Sequence, residues 1–169
     1  MSDFSAAVAY ALSCLQQEHI VLKDKQLEVL QELYRGNDVF AWFPTGYGKS
    51  VCYQLLPFLF DHKLSRTSSP ALEQSVVVII SPLVSLMVDQ VSSLQDRHVA
   101  AGILSGNKGV DKKLLASVKD VSEGCYRLLY SAPEAILGSE QWKELLLLPP
   151  LSRSVVAVAV DEAHCVYKW

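Results

Sequence analysis

The chain has 169 residues, half of them hydrophobic and a fifth charged, with 15 Lys plus Arg against 18 Asp plus Glu and a net charge of −3. That length suits one domain with a sizeable core, and the composition excludes a disordered chain. The charge balance excludes a uniformly basic surface that clings to any polyanion, so nucleic acid would have to be met in a local groove. Cys14, Cys52, Cys125 and Cys165 are far apart, with no CxxC spacing and no histidine cluster. A zinc site and a disulfide framework are therefore not expected, and a reducing compartment fits best. No apolar run approaches the ~20 residues of a membrane helix, and Asp3 and Ser5 interrupt any signal-peptide core. The expectation is a soluble intracellular protein with no membrane partner.

Ala7, Val8, Ala11, Leu12 and Leu15 recur at helical spacing, as do Leu27, Leu30 and Leu33. Two amphipathic helices should open the chain, the second stopping at Gly36. Short apolar runs that read as buried strands follow: "DVFAWF" (38–43), "SVVVIIS" (75–81), "VAAGIL" (99–104), "YRLLYSA" (126–132) and "SVVAVAV" (154–160). Helices are expected between them at 49–60, 83–96, 109–121 and 133–148, the last broken near Gly138. Asp61 to Gln74 reads as one long polar loop. Strands alternating with helices predict an α/β fold with a doubly wound, mostly parallel sheet, whose ligands bind at the carboxyl ends of strands. The expected division is 1–36, the opening helices, and 37–169, the sheet domain.

The unusual motifs sit where such a sheet would use them. "PTGYGKS" (44–50) follows the first run, "SPLVSL" the second, "SAPE" the fourth and "DEAH" the fifth. In the first of these, Gly46 and Gly48 let backbone N–H groups approach a phosphate closely, and a helix starting there adds its positive dipole end. Lys49 would reach the β and γ phosphates of ATP, and the Ser50 hydroxyl would ligate Mg2+. Phe43 stands where the strict Walker pattern has glycine. The bland alternative is a glycine turn capping a helix. Asp161 and Glu162 stand where an apolar strand stops. Asp161 suits the magnesium's waters, Glu162 the attacking water, and His164 a relay of nucleotide state. The alternative there is a solvated acidic turn.

From Leu22 to Trp169 the chain resembles the first RecA-like, P-loop NTPase domain of a RecQ-family DNA helicase of superfamily 2. "FPTGYGKSVCYQL" is similar to motif I, "VVVIISPLVSLMVDQV" to motif Ia, "RLLYSAPE" to motif Ib and "DEAHCVYKW" to motif II. "LKDKQ" resembles motif 0, with Gln26 standing 23 residues before Lys49. The resemblance implies that Gln26 meets the adenine edge and that Lys23 takes the place of the usual arginine. It makes Lys23, Gln26, Pro44, Thr45, Gly46, Tyr47, Gly48, Lys49 and Ser50 the ATP-binding set and Lys49, Asp161, Glu162 and His164 the catalytic set. Ser50 and Asp161 become the metal ligands. Ser81, Pro82, Ser85 and Trp169 become contacts to DNA, with Gln90 either there or on a solvated helix face; Ala132 stands where the family has threonine.

Motif III and the second RecA-like domain, with its arginine finger, are expected to lie outside this chain, which reads as truncated after motif II and inactive alone. DNA, as single strand and fork, would be met through the complete helicase, moving 3′ to 5′. The nucleus is implied in a eukaryote and the cytoplasm in a bacterium. In the family the motif III strand separates the phosphate-loop strand from the DExH strand, so "DVFAWF" and "SVVAVAV" are expected to face an unfilled slot with bare apolar edges or else to pair directly, drawing Asp161 toward Lys49 and distorting the magnesium site. Trp42 and Tyr53 are expected in the core, and Tyr47 exposed. The rival readings are another nucleic-acid-dependent superfamily 2 ATPase, or a nucleotide- or partner-binding module without catalysis.

Overall fold

The helical periodicities near the start of the chain are realised in the computed structural model, which describes residues 3–66, 74–105, 109–149 and 151–164. Two compact units are present, Met1–Ala71 and Leu72–Trp169. In the first, α1 (Asp3–Cys14) and α2 (Asp24–Arg35) both pack on α3 (Lys49–Ser65). Ala7, Val8 and Ala11 of α1 are buried, as are Leu30 of α2 and the run Cys52–Leu59 of α3. Gly36 ends α2 because it adopts φ 93°, a left-handed conformation that glycine reaches without a Cβ clash. Its N–H donates to Leu33 O and that of Asn37 to Glu32 O, closing two otherwise orphaned carbonyls. Beyond the expected stop at residue 60, α3 continues to Ser65, so the polar loop starts later; 67–73 lie outside the described residues.

"DVFAWF" is a correction: residues 38–43 form no strand, and Phe40 and Trp42 are 82% and 87% exposed. Aromatic and β-branched residues fit a pleated surface, but the ladder hydrogen bonds must come from a neighbouring strand. Among the described residues none pairs with this segment, so Trp42 is not the core residue its run suggested. Tyr53 is buried as expected.

The second unit carries a four-stranded, all-parallel sheet in the order β2-β3-β1-β4, with β1 at Val76–Ile80, β2 at Ala101–Leu104, β3 at Leu128–Ser131 and β4 at Val155–Val160. Ile80 is level with both Ser131 and Val160, so the carboxyl ends of β3, β1 and β4 finish side by side. The chain passes from β1 outward through α4 (Val84–Asp96) to β2, and after β3 crosses β1 to reach β4. A core of Val76, Leu104, Ala116, Val121, Leu129, Trp142 and Leu151 lies in this unit. The edge strand β4 is the least covered, with Val158 62% exposed.

The helix expected at 109–121 is also corrected. Only α5 (Val118–Ser122) forms, capped by Ser117 Oγ, which accepts from Asp120 N. Before it, Leu114 O accepts from Ile103 N, and Ala116 N donates to Ile103 O, so this stretch bridges the outer edge of β2. Satisfying that edge while burying Leu114 and Ala116 outweighs local helix formation. The expected break near Gly138 separates α6 (Pro133–Leu137) from α7 (Glu140–Leu147), and a short α8 (Leu151–Ser154) that the sequence did not announce leads into β4.

Candidate nucleotide-binding site

The loop 44–50 belongs to the first unit. Tyr47 N donates to Pro44 O at 3.1 Å, closing a turn in which Gly46 has φ 77°. Gly48, at φ 89°, is the N-cap of α3, and no side chain caps that helix. A Cβ on Gly48 would lie 2.7 Å from Gln26 Nε2, whereas one on Gly46 would meet nothing within 4 Å. Pro44, Thr45, Gly46 and Gly48 are exposed, and Lys49 and Ser50 are half-buried at the first turn of α3. Helix dipole, unhindered glycines, a cationic side chain and a hydroxyl thus meet at one helix start, the donor set an anion requires. The hydroxyl is a hard oxygen ligand of the kind magnesium takes.

Three residues brace this loop. Gln26 is only 5% exposed. Its Nε2 donates to Tyr47 O (3.1 Å) and Gly48 O (3.0 Å), while its Oε1 accepts from Lys23 N (2.8 Å). Lys23 Nζ also donates to Tyr47 O at 3.1 Å and lies 4.2 Å from the centroid of the Tyr47 ring. On that ring packs Phe43, centroids 4.8 Å apart. Tyr47, expected to be exposed, is therefore half-buried between an aromatic ring and a cation. Sequence reasoning treated Phe43 only as a departure from the Walker pattern and missed its role as the floor of Tyr47. An aromatic residue four positions from another across a tight turn was the available signal. Behind the loop, burial pushes the Cys52 thiol up to about 12, which keeps it protonated and unreactive.

In the second unit the motif residues gather at the carboxyl ends of three adjacent strands. Ser81 N donates to Ser131 O and Asp161 N to Ile80 O, which carries Ser81 and Asp161 just past the ladder. Ser81 is buried, Pro82 half-buried and Ser85 exposed on the first turn of α4 next to Leu83 and Val84, both also exposed; Gln90 is half-buried further along. Ser131 Oγ donates to Leu104 O (3.3 Å) and Ala132 O (3.0 Å), tying the end of β3 to that of β2. Asp161 is buried and its Oδ1 accepts from Glu162 N at 3.0 Å. Glu162 adopts φ 51°, a conformation few non-glycine residues take, and it turns the chain sharply at the strand end. His164 Nδ1 lies 3.2 Å from Glu162 Oε2 with its ring exposed. A buried carboxylate beside a half-buried one offers a hard metal ligand and a proton acceptor. Trp169 lies outside the described residues.

Residues 23–169 match the family described as DEAD/DEAH box helicase. The chain is 35% identical over 147 residues to the ATP-dependent helicase SGS1 of Saccharomyces cerevisiae, covering 87% of this chain and 10% of that protein. It is 33% identical over 153 residues to the ATP-dependent helicase wrn-1 of Caenorhabditis elegans, covering 89% of this chain and 12% of that protein. With the ATP-dependent DNA helicase RecQ of Haemophilus influenzae it shares 31% over 144 residues, 85% of this chain and 20% of that protein. The chain thus spans a tenth to a fifth of the length of these relatives. A match over nearly its whole length, on a parallel α/β sheet with the phosphate loop and acidic strand end in order, means that the chain belongs to the DEAD/DEAH box helicase family, among the RecQ-type helicases.

Proposed function

We propose that the chain is the ATP-binding part of an ATP-dependent DNA helicase of the RecQ type, which couples ATP hydrolysis to 3′ to 5′ movement along a single strand and to unwinding at a fork. The observation that carries this reading is the loop itself: two left-handed glycines deliver Lys49 and Ser50 onto the first turn of an uncapped 17-residue helix. Lys49 binds the β and γ phosphates, and the N–H groups of the loop from Thr45 onward surround them, with Pro44, which has no N–H, setting the entry to the loop. Ser50 and Asp161 serve the magnesium, a role that suits a hydroxyl and a carboxylate. Magnesium, when bound, supplies positive charge against the phosphate oxygens. Glu162 orients the attacking water and takes its proton, and His164, hydrogen-bonding distance from Glu162, links that base to its surroundings. Ser81, Pro82 and Ser85 meet the phosphates of the strand, and Trp169 joins them. Hydrolysis at a useful rate also draws on an arginine finger from a second RecA-like domain, which in related phosphoryl-transfer systems is worth roughly 10³–10⁵ in turnover. In a eukaryotic cell that helicase works in the nucleus.

The test is ATP turnover by the full-length helicase with and without single-stranded DNA, for wild type and Glu162→Gln. The variant is expected to bind ATP and lose roughly 10²–10⁴ in turnover, because the water loses its base. DNA-independent turnover in the wild type, or unchanged turnover in the variant, contradicts the proposal.

A further inference from the structure

Gln26 occupies a position that the adenine-reading role does not explain. Its side-chain oxygen accepts from Lys23 N at the start of α2, the returning half of a capping box, and this fixes which end of the amide faces the helix start. The nitrogen is thereby turned to the phosphate loop, where it donates to the carbonyls of Tyr47 and Gly48. Lys23 Nζ donates to the same Tyr47 carbonyl.

These bonds have a consequence for the other side of the loop. In a planar trans peptide the C=O and the following N–H point in opposite directions. Holding Tyr47 O and Gly48 O toward α2 therefore turns the N–H groups of Gly48 and Lys49 away from α2. Consecutive N–H groups turned to one side are the element of which anion-binding nests are made. The absent side chain at Gly48 is part of the same arrangement, since a Cβ there would stand 2.7 Å from Gln26 Nε2.

We propose that Gln26 is a positioning residue for the triphosphate cradle: it acts on phosphate affinity whatever the base, through the orientation of the Tyr47 and Gly48 peptides. This rests on the reading of 44–50 as a phosphate site. Lys23 assists through the Tyr47 carbonyl and ring.

The experiment measures binding of Mg·ATP, Mg·GTP and magnesium tripolyphosphate by calorimetry to the 169-residue chain, as wild type, Gln26→Glu and Lys23→Met. Gln26→Glu keeps the oxygen that accepts from Lys23 N and replaces the donor with an oxygen facing two carbonyls. Circular dichroism restricts the comparison to folded protein. Gln26→Glu is expected to lose affinity for all three ligands by the same factor, roughly tenfold or more for two lost hydrogen bonds, and Lys23→Met by a smaller common factor. Tripolyphosphate affinity unchanged in both variants, with ATP affinity falling only to that of GTP, overturns the inference and leaves the phosphate site standing. A wild type that binds none of the three overturns both together.

Discussion

A methyl group added to each loop glycine separates backbone strain from the loss of the Gln26 brace. Gly46→Ala places an alanine at φ 77° in open space, so its cost is the left-handed conformation alone, about 1–2 kcal/mol. Gly48→Ala carries the same penalty at φ 89°, and its Cβ also lies 2.7 Å from Gln26 Nε2. Gln26 is buried and tied at both ends of its amide, so it cannot swing aside without releasing its bonds to Tyr47 O and Gly48 O. Two net hydrogen bonds add about 1–3 kcal/mol, which brings Gly48→Ala to roughly 2–5 kcal/mol. Urea unfolding of the 169-residue chain, followed by circular dichroism, reads the difference as a midpoint shift at unchanged slope. Gly48→Ala should lower the midpoint further than Gly46→Ala. In a Gln26→Ala background the two glycine variants should become equal, because the clash has no partner. Equal midpoints in the wild-type background, or a difference that survives removal of Gln26, would refute the brace.

Two further outcomes follow from the titrating groups. Burial holds the Cys52 thiol protonated up to about 12, while Cys125 is exposed, so a thiol reagent at pH 8 should modify Cys125 before Cys52, which reacts only on unfolding; mass spectrometry of the digested chain identifies the adduct. Tyr34 is pushed up to about 12, first by burial and then by its hydrogen bond to Asp3, so the phenol is favoured in the folded state. The associated stability is present below the ordinary tyrosine range and is lost as pH rises through the folded value. The melting temperature should therefore drop between about pH 10 and 12, and Tyr34→Phe should flatten that drop, as a pH series of thermal melts would show.

What the sequence displayed most clearly was local chemistry. Gly46, Gly48, Lys49 and Ser50 can be read as a phosphate loop because each type is required by a specific contact, and the helix they open begins at Lys49. Val76–Ile80 and Val155–Val160 read as strands because their β-branched runs found partners in register. "DVFAWF" has the same kind of composition and forms none, since propensity cannot supply the neighbour that satisfies its amides. The stretch before Val118 failed as a helix for a related reason: the bare edge of β2 competes for its backbone. Which way Gln26 faces could not be seen in one dimension either. The bond from Lys23 N that orients it is local, but the carbonyls it braces lie 21 and 22 residues away.

Calorimetric titration of Mg·ATP into the chain and its Lys49→Ala variant decides whether residues 44–50 cradle the phosphates of a nucleotide. Removing a charged donor to phosphate should cost about 1.5–3 kcal/mol, at least a tenfold loss of affinity, with the far-UV spectrum unchanged. Equal affinity of wild type and Lys49→Ala for Mg·ATP would contradict the assignment.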